Sequence, residues 1–185
     1  HEVIILEKHS RAGEETSSRN SGVIHSGIYY PIGSKKAILC VEGNKLLYEY
    51  AQKRNIAHRN TGKIVVATTA EEINRLEFLF QRGTDNNVKG LKLLTKSDIA
   101  KLQAEIKAEQ ALYCPSSGII EAAELVQSLE AELQEQGIIT AFNSTVEQIE
   151  VKSSSGFTVK VSTEESFSIE AEKVINSAGL NAVHL

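Results

Sequence analysis

The chain has 185 residues, with 20 Lys and Arg against 24 Asp and Glu and a formal net charge of −4. With 41% hydrophobic and 24% charged residues it can bury a core, which excludes bulk disorder. The slightly acidic balance offers no basic face for DNA or RNA, and no run approaches the roughly 18 to 20 apolar residues of a membrane span.

From the N-terminus, Glu2 to Glu7 reads as a buried strand, Val3-Ile4-Ile5-Leu6, closed by an acid. His9 to Ser21 is polar and small, which is loop chemistry. Val23 to Tyr30 is a mixed apolar segment that ends before Pro31 and Gly33. Ser34 predicts the N-cap of a helix running to about Arg54. Gly62 opens a strand over Lys63 to Thr68, and Thr69 with Glu71 and Glu72 starts a helix to about Gly83. Leu91 to Leu94 predicts a short strand, Thr95 to Gln103 a short helix, Ala111 to Cys114 a strand and Pro115 to Gly118 a turn.

The clearest helix spans Glu121 to Gln136, where Leu125, Leu129 and Leu133 recur every four residues and Gly137 follows as a stop. Ile138 to Phe142 predicts a strand. Thr145 to Val151, Gly156 to Val161 and Phe167 to Ile169 predict a meander. Lys173 to Asn176 predicts a last buried strand, leading into Ser177-Ala178-Gly179-Leu180. Strands alternating with helices, with a meander added, predict an α/β fold. Cys40 and Cys114 are far apart and form neither a disulfide framework nor a CxxC metal site, so a reducing compartment is expected. No metal cluster is expected.

Three stretches carry chemistry. The first is the strand ending in Glu7. In dinucleotide-binding βαβ units an acid at the end of the second strand accepts hydrogen bonds from the ribose hydroxyls, about 20 residues beyond a glycine-rich phosphate loop. An ordinary buried strand can end in the same way. The second is Thr16 to Tyr30, where small and hydroxylated residues let backbone N–H groups approach an anion or a flat ring, with His25 set between Gly22 and Gly27. A glycine-rich turn holding a hydrogen-bonded histidine reads the same. The third is Val174 to Ala182, a strand that breaks into small residues and so can pass close to a cofactor, or simply end in a turn.

Together these elements, in this order and spacing, resemble FAD-dependent oxidoreductases of the D-amino-acid-oxidase superfamily. Asn20-Ser21-Gly22-Val23-Ile24-His25-Ser26-Gly27-Ile28-Tyr29-Tyr30 resembles the L-2-hydroxyglutarate dehydrogenase/oxidase group. Leu39 to Asn44, Gly62 to Thr68 and Cys114 to Ile120 fit that group as well. The resemblance implies a partial Rossmann-like FAD-binding domain with a β-meander. Residues 1–60 and 116–185 would form that discontinuous domain, and 61–115 part of an inserted α+β substrate domain.

The resemblance also implies roles. Glu7 would bind the adenosine ribose. Thr16, Ser17, Asn20, Ser21, Gly22 and Val23 would lie along the pyrophosphate, ribityl chain and isoalloxazine. Val146 would meet the adenine through its backbone, and Ala178 and Gly179 would pass near the pyrophosphate. His25 would face the flavin and substrate, and a histidine, which titrates near neutral pH, suits a base that takes the hydroxyl proton while hydride passes to the flavin. Its rival role is packing and hydrogen bonding against the flavin. Lys63 opens a substrate-domain strand with no contact assigned, and His9, His58 and His184 read as surface residues.

Counting back from Glu7 places the family's phosphate loop before His1, so the chain is expected to be an internal fragment that holds FAD weakly or not at all. Gln103-Ala104 stands where the family commonly has Glu-Pro, and Glu121 where it commonly has Asp. The expected substrate is a small 2-hydroxy acid, and the resemblance names no electron acceptor. The expected location is cytoplasmic, with at most peripheral contact with the inner membrane. Two other readings stand beside this one. Thr16 to Ser21 also resembles flavin-dependent glycerol-3-phosphate dehydrogenase, and the chain could be an inactive product of a split or decayed gene.

Overall fold

The computed structural model describes residues 2–153 and 155–185. In chain order the first elements are β1 (Ile4–Leu6), β2 (Val23–Ile24), α1 (Lys35–Lys53), β3 (His58–Arg59), β4 (Lys63–Ala67) and α2 (Ala70–Asp85). They are followed by β5 (Lys92–Thr95), α3 (Lys96–Leu102), β6 (Gln110–Cys114), β7 (Gly118–Ile120) and α4 (Ala122–Glu135). The C-terminal part holds β8 (Ile139–Ala141), β9 (Thr145–Val151), β10 (Phe157–Ser162), β11 (Ser166–Ala171) and a 3-10 helix, Gly179–His184. The fold is mixed α/β, as expected.

The chain falls into two compact units, His1–Asn20 with Ala122–Leu185, and Ser21–Glu121. In the first, β1 pairs in parallel with β8, Ile5 opposite Thr140. A parallel pair needs a crossover, and α4 leads into β8 through Gly137, whose φ of +69° is the left-handed geometry of a helix stop. The meander runs β11-β10-β9, and Val159 and Val161 alternate onto its buried face.

The second unit is built on the sheet β4-β6-β5, antiparallel throughout. Alternation divides its residues between two cores. Leu112, Cys114, Ala67, Val65 and Leu93 face one way, onto Leu76 and Phe80 of α2 and onto Ile28. Ala111, Ile64 and Leu94 face the other way, onto Ile99 of α3 with Ile106 and Ala108. A smaller sheet, β2-β7-β3, joins Val23–Ile24 and His58–Arg59 through Gly118–Ile120. The boundaries expected at 60 and 116 fall inside this unit, because β7 draws both earlier segments to itself; the functional division implied by the resemblance is therefore not the geometric one.

The helix starts follow the sequence. Ser34 Oγ accepts the Ala37 N–H, and Thr69 with Glu72 and Thr95 with Asp98 form reciprocal capping boxes. The last expected strand does not form. Lys173 to Asn176 takes no regular structure, and Ile175 is 88% exposed rather than buried. An apolar run makes a strand only where a partner supplies the ladder, and the described residues supply none there. β3 and β7 were not expected; at two and three residues they carry no period to read.

Candidate flavin and substrate site

In the first unit, β1 delivers Glu7 to the C-terminal end of the parallel pair. The Glu7 N–H donates to the Ala141 carbonyl and its carbonyl accepts the Ser144 N–H, both at 2.9 Å. Its carboxylate Oε1 accepts the His9 N–H at 2.8 Å, while Oε2 has no partner among the described residues. Ser144 leads directly into β9, so Val146 lies close to Glu7 along the chain path. β9 is an edge strand of the meander, and Val146 pairs with Val161 where the register shifts.

Residues 12–18 form a turn that is closed from within. Asn20 Nδ2 donates to the carbonyls of Thr16 and Ser17 at 3.3 and 2.8 Å, and Ser18 Oγ donates to those of Glu14 and Glu15. Gly13 lies against α4, where an added Cβ would come within 3.1 Å of Val126. Thr16, Ser17 and Asn20 are all exposed on this turn.

Glu15 ties the turn to two other segments. Its carboxylate takes Lys8 Nζ at 2.5 Å and His9 Nε2 at 3.2 Å, and accepts from Asn181 Nδ2 at 3.4 and 3.2 Å. The Lys8 ammonium, with the His9 ring, holds the Glu15 carboxyl below the usual carboxylate range. Asn181 in turn donates its N–H to the Ala178 carbonyl at 2.9 Å. The Glu15 carboxylate thus ties together the segments that carry Glu7, Thr16–Ser17 and Ala178–Gly179, expected around one cofactor, through Lys8, His9 and Asn181. Gly179 has a φ of +55° and open space where a Cβ would stand.

In the second unit, Gly22 has a φ of +63°, and an added Cβ would meet the Ile120 carbonyl oxygen at 2.6 Å. Its own carbonyl accepts the Ile120 N–H at 2.8 Å. Ser21, Val23 and His25 are exposed, whereas Ile24, Ser26, Gly27 and Ile28 are buried. The backbone around His25 is fastened from two helices. Asn44 of α1 donates to the His25 carbonyl at 2.9 Å and to that of Ser116. In the last turn of α2 Arg82 donates to the Tyr29 carbonyl, and just beyond it Asn86 donates to those of Gly27 and Tyr30. The exposed His25 therefore sits on a braced stretch of backbone.

Glu15, Asn181, Asn44, Asn86 and Arg82 were not singled out from sequence. Each is a polar residue acting across tens of positions, and neither periodicity nor local motif marks such a contact. Of the histidines expected on the surface, His184 is exposed. His9 is instead engaged by Glu15. His58 is exposed, yet it hydrogen-bonds the Ile56 carbonyl and meets the Tyr48 ring edge-on.

A family model described as FAD dependent oxidoreductase (DAO) matches residues 1–185. The chain belongs to this FAD-dependent oxidoreductase family. It is 41% identical over 147 residues to the mitochondrial L-2-hydroxyglutarate dehydrogenase of Pongo abelii, covering 80% of this chain and 35% of that protein. With the Mus musculus enzyme of the same name it shares 36% identity over 184 residues, covering 95% and 40%. Among solved structures it superposes with a TM-score of 0.85 on the L-alpha-glycerophosphate oxidase of Mycoplasma pneumoniae with FAD bound, at 27% identity, over 95% of this chain and 47% of that one. The chain thus spans well under half the length of the curated relatives it matches. No helix among the described residues is long and apolar enough to cross a membrane.

Proposed function

We propose that the protein carrying this chain binds FAD and oxidises a 2-hydroxy acid of the L-2-hydroxyglutarate type to its 2-oxo acid. The observation that carries the reading is the 36% identity maintained over 184 residues with an L-2-hydroxyglutarate dehydrogenase. The residues present fit the cofactor. Glu7 has a carboxylate oxygen without a partner among the described residues, at the end of a parallel strand, the position that takes ribose hydroxyls. The exposed hydroxyls of Thr16, Ser17 and Ser21, with Asn20, Gly22 and Val23, present small groups to an extended ligand. Ala178 and the open space at Gly179 admit a close backbone approach, and the outer edge of β9 leaves the Val146 backbone available to a ring edge.

FAD, when bound, supplies the hydride acceptor. His25 takes the proton from the substrate hydroxyl at an imidazole nitrogen. Fastening its backbone through Asn44 limits the motion that would otherwise dilute such a transfer. Residues 1–60 and 116–185 hold the cofactor in this reading, and 61–115 shape the substrate end. Both thiols are free, which fits a reducing compartment.

The test is anaerobic mixing of the FAD-loaded protein with L-2-hydroxyglutarate, which should bleach the oxidised-flavin absorbance. The second reading is a glycerol-3-phosphate oxidoreductase, favoured by the superposition on the glycerophosphate oxidase. Bleaching by sn-glycerol 3-phosphate alone decides for it.

A further inference from the structure

Within the second unit one cation stands out by its setting. Lys63 opens β4 and is half-buried, and its Nζ lies 4.5 Å from the centroid of the Tyr29 ring. Among the described residues it has no acidic partner, unlike Lys8, Lys96, Lys152 and Lys160, each of which meets a glutamate. A ring face supports an ammonium group without neutralising it or using up its donors. Tyr29 is itself 43% exposed, so the pair is open to a ligand.

The fold ties the segments that carry Lys63 and His25 to the same three residues. Gly62, next to Lys63, donates its N–H to the Ser117 carbonyl at 2.9 Å. Ile24, next to His25, pairs with Gly118. The Ser116 carbonyl takes Asn44, the same side chain that fastens the His25 carbonyl. Consecutive residues 116–118 therefore form the floor on which both strands stand, and they cannot drift apart without breaking three sets of hydrogen bonds. Gly118 is cramped from behind: an added Cβ would reach the Tyr48 hydroxyl at 2.1 Å and the Arg59 carbonyl at 2.5 Å.

We infer that Lys63, held on Tyr29 and tied to the same floor as His25, binds the substrate carboxylate remote from the hydroxyl-bearing carbon and so selects dicarboxylic over monocarboxylic 2-hydroxy acids. The inference rests on the reading of the site as one for 2-hydroxy acids. A charge-assisted hydrogen bond from a half-buried ammonium to carboxylate gives discrimination of about 10- to 100-fold. Lys36 over Tyr30, at 4.7 Å, repeats the cation–ring contact from an exposed position on α1 and serves as the control.

The experiment is calorimetric titration of the FAD-loaded protein that carries this chain, using 2-oxoglutarate, 2-oxobutyrate and sn-glycerol 3-phosphate. The unmodified protein should bind 2-oxoglutarate at least about 10-fold tighter than 2-oxobutyrate. Lys63→Met should abolish that preference and leave 2-oxobutyrate binding and the melting temperature unchanged. Lys63→Arg should restore most of it, and Lys36→Met should change nothing. A preference that survives Lys63→Met overturns the role of Lys63 and leaves the substrate reading standing. Binding of sn-glycerol 3-phosphate but of neither oxo acid, lost in Lys63→Met, overturns the 2-hydroxy-acid reading and, with it, the dicarboxylate selectivity. Binding of none of the three overturns both.

Discussion

A single carboxylate, Glu15, meets Lys8, His9 and Asn181. Because its folded-state proton affinity is depressed, its contribution is present at neutral pH and is lost as pH falls through the depressed value. Glu15→Ala should speed amide exchange at residues 8–18 and 178–184 while leaving β4, β5 and β6 unchanged, as hydrogen-exchange mass spectrometry will read. In the unmodified chain the same amides should lose protection on acidification below the usual carboxylate range. Gly22 is constrained by backbone rather than by a side chain, since the atom an added Cβ would strike is the Ile120 carbonyl oxygen. Gly22→Ala combines that clash with a positive φ and should cost more than about 1 kcal/mol, measured as a lowered urea midpoint. Neither constraint is visible in the local sequence: Glu15 sits in a run of polar residues, and Gly22 is one of 12 glycines.

The helices were legible because their signals are local. A hydroxyl followed three residues later by an acid satisfies two orphan amides wherever it occurs, and Thr69–Glu72 and Thr95–Asp98 do so here. Thr69→Ala should destabilise α2 by about 1 kcal/mol in equilibrium unfolding. Lys173 to Asn176 shows the opposite case. Its residues suit a strand, but strand formation depends on a neighbour, and Ile175 stands exposed instead. The Leu125-Leu129-Leu133 stripe of α4 was read correctly as helical. Its burial was not legible, since Leu129 remains 47% exposed.

Across the molecule the best-enclosed apolar packing lies in Ser21–Glu121, on the two faces of β4-β6-β5. Leu112 is fully buried there, and Leu112→Ala should cost about 2 to 5 kcal/mol by the transfer and cavity terms, whereas Leu129→Ala should cost less than about 1 kcal/mol. Urea titrations followed by circular dichroism will compare the two.

The amino-acid sequence by itself determined the family, the helix starts and the strand that ends in Glu7. Those rest on residue types at short, fixed spacings, where geometry is set by the backbone alone. Only the tertiary structure decided that Glu15 gathers Lys8, His9 and Asn181, that Ser116 to Gly118 forms a floor shared by His25 and Lys63, and that Lys63 rests on a ring rather than on an acid. Apart from Lys8 and His9, which lie near Glu15 in the chain, those contacts join residues tens to more than a hundred positions apart, and the chain reveals such neighbours only once it has folded.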